Sequence, residues 1–228
     1  TVGTTKPTNC ANAGSLPAIF MTVPFPFSTF DMSIDEAQRL FEIYTRLKGS
    51  YSVEVDHEFI LPLDSFETFK TNGLNDRGPV FKINNGHRPF FLCFPEIKDW
   101  FRNSRYSPGP YIEFQPWGYY KLKEDYGHTL IRTETLLDKI HELITPIELD
   151  FEDDKTFSRR FFVVTNDKLK AQLKITSSFR ELIKQINLNE IIIEIKGDML
   201  VVGDKKVISE DRVFAFTDFL NRISEASY

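Results

Sequence analysis

The chain has 228 residues and a mass of 26.5 kDa, room for one large domain or two small ones, and needs no disulfide or metal staple to fold. Hydrophobic residues at 41% and charged residues at 27% exclude a disordered chain and a polytopic membrane protein. Twenty-eight Lys and Arg against 33 Asp and Glu give a net charge of −5, the wrong balance for gripping a phosphate backbone.

The weakly polar stretch 16–27 is too short to span a bilayer, and Pro17, Pro24 and Pro26 break any helix there. No basic segment precedes it, which argues against a signal peptide. Thr1 fits either a removed initiator Met or an excised fragment. The absence of an Asn-x-Ser/Thr sequon favours a cytoplasmic setting. Cys10 and Cys93 are too few for a disulfide framework, and Cys93 in Phe90-Phe91-Leu92-Cys93-Phe94 reads as a buried thiol.

Ser33-Ile34-Asp35-Glu36 has the spacing of a capping box, predicting a helix with Ile34, Ala37, Leu40, Phe41, Tyr44 and Leu47 on one face and a stop near Gly49. Tyr51, Val53 and Val55 alternate as a strand. Val80–Ile83 and Arg88–Phe94 flank Asn84-Asn85-Gly86-His87, a β-hairpin signal. Pro95 can open a short helix through Phe101. Tyr111–Phe114 and Tyr119–Lys123 read as a strand pair around Trp117. Thr133 caps an expected helix carrying Leu136, Leu137, Ile140, Leu143 and Ile144, which Pro146 ends.

All twelve prolines lie at or before Pro146, and all four histidines and both tryptophans precede that point too. Five acids in the seven positions Glu148–Asp154 follow. The change in backbone style places a domain boundary near 146–155. It divides a Pro- and aromatic-rich α+β part, 1–147, from a Pro-free part, 148–228. In the second part Arg160–Thr165 is a strand, and the pattern of Asp167–Ile175 is ambiguous. Ser178-Phe179-Arg180-Glu181 reads as a second capping box, Glu190–Lys196 and Met199–Val202 are strands around Gly197-Asp198, and a last helix starts near Ser209. The order β-α-β-β-α, with helices on one face of an antiparallel sheet, gives an α+β fold.

Residues 157–200 carry a distinctive series. Phe157, Phe161 and Val163 lead into Asn166-Asp167, and Ala171, Thr176 and Phe179 follow. An Ile-rich strand then ends at Gly197-Asp198-Met199-Leu200. This resembles the C-terminal region of an uncharacterised bacterial family whose similar module follows transmembrane segments. The resemblance implies the soluble part of a membrane-associated protein; it brings no activity and no functional residue. Arg159–Val164 also resembles the RNA-recognition octapeptide. It lies on the first strand rather than the third and lacks the small residues between aromatics, so nucleic acid is not an expected partner.

No nucleophile elbow, HExxH, P-loop or dinucleotide motif occurs, and no cofactor or metal is implied. His57 stands in a strand with Asp56 and Glu58 on the opposite face. His87 and Arg88 sit at a hairpin tip that suits an anion, although Asn-Gly there is first a turn signal. His141 lies at a helix C-terminus, where a partly charged imidazole is favoured. His128, in the loop after Tyr126, is the best placed of the four for a pocket. The acids 148–154 lack the spacing of a calcium loop and read as a solvated face. Arg105, Tyr106, Tyr111, Trp117, Tyr119 and Tyr120 are of the types enriched at interface hot spots. Their loops are the expected surface for a protein partner or self-association; alternatively Trp117 and Tyr119 close the edge of the core.

The first expectation is therefore a non-catalytic interaction module. The rival is a hydrolase or transferase with a pocket at Tyr126 and His128.

Overall fold

The structure is a computed structural model that describes residues 24–29, 31–70, 73–75, 78–99, 111–133 and 147–226. Helix α1 (Ile34–Ser50) begins at the expected box: the Ser33 hydroxyl accepts from the Glu36 amide at 3.2 Å, and the Glu36 carboxylate accepts from the Ser33 amide at 2.9 Å. Two amides with no helical partner are thereby satisfied, a contribution of about 1 kcal/mol. The face Ala37, Leu40, Ile43, Tyr44 and Leu47 is buried, whereas Ile34 in the first turn, expected on the same face, is exposed.

After α1 the chain runs through β1 (Ser52–Val55), a 3₁₀ turn (Leu63–Ser65), α2 (Glu67–Lys70), β2 (Gly73–Asn75), β3 (Val80–Asn84) and β4 (Phe90–Cys93). Then come β5 (Glu96–Asp99), β6 (Tyr111–Phe114), β7 (Trp117–Lys121), β8 (His128–Thr133) and β9 (Ile147–Glu148). The last third holds α3 (Lys155–Arg160), β10 (Phe161–Thr165), α4 (Lys168–Lys174), α5 (Ser177–Lys184), β11 (Ile192–Lys196), β12 (Met199–Gly203) and α6 (Glu210–Glu225). The fold is α+β, as the element order implies.

Nine strands form one antiparallel sheet in the order β1-β3-β4-β7-β12-β11-β8-β10-β9, and β2-β5-β6 form a smaller one. The β11–β12 hairpin inserts between β7 and β8, pairing Val201 with Tyr119 and Ile193 with Ile131. The boundary expected near 146–155 therefore does not separate two sheets: strands from both sides of it are interleaved and share a core. The loss of proline after 146 marks a change of turn style, not a division of the hydrophobic interior.

Further expectations shift. Residues 96–99 form β5 rather than a helix, because pairing of Ile97 with Leu74 and Glu113 outweighs the local signal of Pro95. β6 and β7 are both strands but lie in different sheets. Thr133 ends β8, and the helix expected over 134–146 lies outside the described residues. The cap of α5 is Thr176, whose hydroxyl accepts from Phe179 N–H, two residues before the expected one.

The large sheet is covered on both faces. Leu200, Val202, Ile193, Ile195, Ile131, Phe161 and Val163 point to a side packed with residues of α1, α5 and α6. Their alternating neighbours Val201, Ile192, Leu130 and Val164 point the other way, to a second cluster with Leu61, Phe66, Phe69 and Trp117. A strand buried on both faces reads as an unbroken apolar run, which accounts for Ile191-Ile192-Ile193-Glu194-Ile195. Gly203 lies across from Trp117, and a Cβ there would meet the indole ring at 2.4 Å, so only glycine lets the ring lie flat on the strand.

Candidate functional site

The strap over the second face begins where Asp56 turns the chain, its Oδ1 accepting from the amides of Glu58 and Phe59 at 2.9 and 2.8 Å. Phe59 then stacks on Phe91 with centroids 4.0 Å apart, and Phe69 meets Trp117 edge-on at 4.6 Å. Between them, the N-terminus of α2 rests on Glu194. Register sets Glu194 opposite Leu130 and Lys196 opposite His128, so Glu194 and His128 are diagonal neighbours on one face.

Glu194 is fully buried. Its Oε1 accepts from the Glu67 amide and faces His128 Nε2, both at 2.8 Å, and its Oε2 accepts from the Thr68 amide at 2.8 Å. Burial pushes its carboxyl up, but the bonds from His128, the Thr68 side chain and the two amides outweigh it and hold it below the ordinary glutamate value. An ionised carboxylate only accepts, so His128 Nε2 carries a proton. The His128 main chain is fixed as well, its N–H donating to Asn166 Oδ1 at 3.0 Å. Four donors fill the lone pairs of Glu194. The same carboxylate thus orients the imidazole and ties the strap to the sheet.

Tyr126 does not join them. It is buried on the opposite side, its ring 5.8 Å from that of Phe179, so the pocket expected at Tyr126 and His128 does not form. The aromatic surface is corrected too. Trp117, Tyr119 and Tyr120 are 1%, 8% and 0% exposed, since β7 is an interior strand with packing on both faces. None of the three offers its ring to a partner. Arg105 and Tyr106 lie outside the described residues, as do His141 and the side chain of Tyr111.

His57 and His87 are exposed, and the Arg88 guanidinium donates to the Lys121 and Leu122 carbonyls at 3.1 Å each instead of awaiting an anion. Cys93 is a free, buried thiol whose pKa burial pushes far up.

The acidic run behaves as a solvated face with an added role. Leu149 and Phe151 point inward, and Asp154 caps α3, accepting from Phe157 N–H at 3.0 Å. Burial raises the Asp154 carboxyl, but Lys184, the Phe157 amide and Arg180 together hold it below the usual range. Buried Arg180 lies 4.4 Å over the Phe151 ring and donates to Asp153, Asp154 and the Ile175 carbonyl. This frame shapes an open groove of about 690 Å³, with Glu148, Asp150 and Glu152 on one wall and Lys168 and Gln172 of α4 on the other. Among the described residues, no group of three or more His, Cys, Asp or Glu is arranged to hold a metal.

α4 carries the feature that sequence reasoning missed. Asp167 caps it, accepting from the Lys170 amide at 3.0 Å. Apolar residues at 169, 171, 173 and 175 alternate as in a strand, and winding that pattern into a helix sends its two halves to opposite sides. Ala171 and Ile175 are buried; Leu169 and Leu173 are each 75% exposed. Lys168 and Gln172 flank the stripe on the groove side. On its other flank Lys170 and Lys174 pair with Asp125 and Glu124. The ambiguous period of Asp167–Ile175 was the available signal.

No protein-family model, curated protein or solved structure matches this chain. Among the described residues no helix is long and apolar enough to cross a membrane.

Proposed function

We propose that the chain is an interaction module that binds a protein partner, with the outward face of α4 as its contact surface. The exposed pair Leu169 and Leu173 carries this reading. Burying a leucine is worth about 1.5–3 kcal/mol, and this fold leaves most of that unrealised at two adjacent positions one turn apart. A local pattern at odds with its fold marks a place where something other than folding set the sequence. The placement of Tyr126 against Phe179, on the other side of the sheet from His128, supports the same reading, because the hydrolase or transferase alternative rested on a pocket shared by those two residues. The contact surface moves from the aromatic loops to α4.

A benzophenone side chain placed at position 169, with one at exposed Gln38 as control, tests this by photo-crosslinking in the cells that make the protein. A discrete adduct from 169 and none from 38 is expected. The same products from both positions, or none from 169, would count against the proposal.

A further inference from the structure

Charge around α4 is unevenly distributed, and the imbalance selects an occupant for the exposed stripe. On one flank Lys170 and Lys174 are neutralised by Asp125 and Glu124 of the neighbouring loop. On the other, the groove wall carries Glu148, Asp150 and Glu152, all exposed and none in an ion pair among the described residues. Arg180 does not offset them, since it is spent on Asp153, Asp154 and the Ile175 carbonyl. Lys168 is the cation left on the opposite wall. An apolar strip thus runs beside three uncompensated carboxylates.

We infer that this face takes a short basic, amphipathic segment of another protein. Its apolar side chains cover Leu169 and Leu173, and its Lys or Arg side chains enter the groove against Glu148, Asp150 and Glu152. The inference rests on the reading of α4 as a contact surface and adds the chemistry of the partner. Anionic lipid is disfavoured because the acids would face its headgroups. A second copy is disfavoured because two chains of net charge −5 would bring the same acidic walls together.

The test uses the full chain and a fluorescein-labelled synthetic peptide of Lys and Leu spaced as an amphipathic helix, read by anisotropy at physiological salt. A Glu/Leu peptide of the same spacing is the comparator. Binding of the Lys/Leu peptide is expected to weaken about 10-fold or more with Leu169→Ser plus Leu173→Ser, and similarly with Glu148→Gln, Asp150→Asn and Glu152→Gln together. The Glu/Leu peptide should not bind. Sedimentation velocity of the protein alone should give a monomer for parent and variants.

Equal binding of the Glu/Leu peptide, or a dimer lost in the double serine variant, would overturn the basic partner while leaving α4 a contact face. Lys/Leu binding that ignores both sets of substitutions, with no association dependent on Leu169 and Leu173, would overturn the partner and the contact face together.

Discussion

Replacing Glu194 by alanine removes the acceptor to which the strap is tied. Three bonds of 2.8 Å go with it, from the Glu67 amide, the Thr68 amide and His128 Nε2. Hydrogen bonds to a charged group contribute about 1.5–3 kcal/mol each. They are not additive here, because the amides share one carboxylate and water can reach part of the released strap. Breaking one partner of a buried charged cluster costs about 3–5 kcal/mol, the figure we adopt for Glu194→Ala. With a urea m-value of roughly 2–3 kcal/mol/M, the unfolding midpoint should fall by about 1.5 M. Glu194→Gln keeps an acceptor but turns an NH₂ toward donors, so roughly half that loss is expected. Hydrogen exchange locates the effect: the Glu67 and Thr68 amides should lose protection in either variant, whereas the Leu130 amide in the adjoining strand should keep it. A midpoint shift below about 0.3 M, or unchanged exchange at Glu67 and Thr68, would refute the clasp.

Acid should act through the same group. Glu194 and Asp154 have carboxyls held below their unfolded values, so their stabilisation is complete above about pH 4–4.5 and is lost as pH falls through the lower folded values. The urea midpoint of Glu194→Gln should therefore fall less steeply below pH 4 than that of the parent; parallel profiles would contradict the assignment. Gly203→Ala drives a methyl into the Trp117 ring and should cost about 1–3 kcal/mol by denaturation, with a changed Trp emission. Gly49→Ala, whose new methyl meets nothing within 4 Å in α1, should instead stabilise by about 0.5–1 kcal/mol. In a Cys10→Ser background, Cys93 should react with a thiol reagent only as the chain unfolds, and fast labelling of the folded protein would show that β4 is open.

Much of the fold was legible where local chemistry and tertiary context agree. The Ser33 box, the Gly86 hairpin and the start of the last helix at Ser209 all appear where expected. What escaped was long-range. Nothing near Pro95 announces that 96–99 will be claimed by β2 and β6, and no composition shows a hairpin from the last quarter entering between β7 and β8. Trp117, Tyr119 and Tyr120 have the amphipathic character of surface aromatics, yet β7 sits mid-sheet and both its faces are covered. His128 drew attention for its residue type and proved to be bonded to a carboxylate, Glu194, that also ties down the strap. Glu194 itself carried a readable sign: one acid inside a run of isoleucines must find donors or unfold the strand.

The proposal stands on Leu169 and Leu173 being surplus to folding, and the unfolding free energy of Leu169→Ser with Leu173→Ser tests that directly. Ordinary core leucines would cost several kcal/mol as a pair. Exposed as they are, these two should leave stability within about 0.5 kcal/mol of the parent by urea denaturation. A loss of about 2 kcal/mol or more would place them in the chain's own interior and contradict a contact surface on α4.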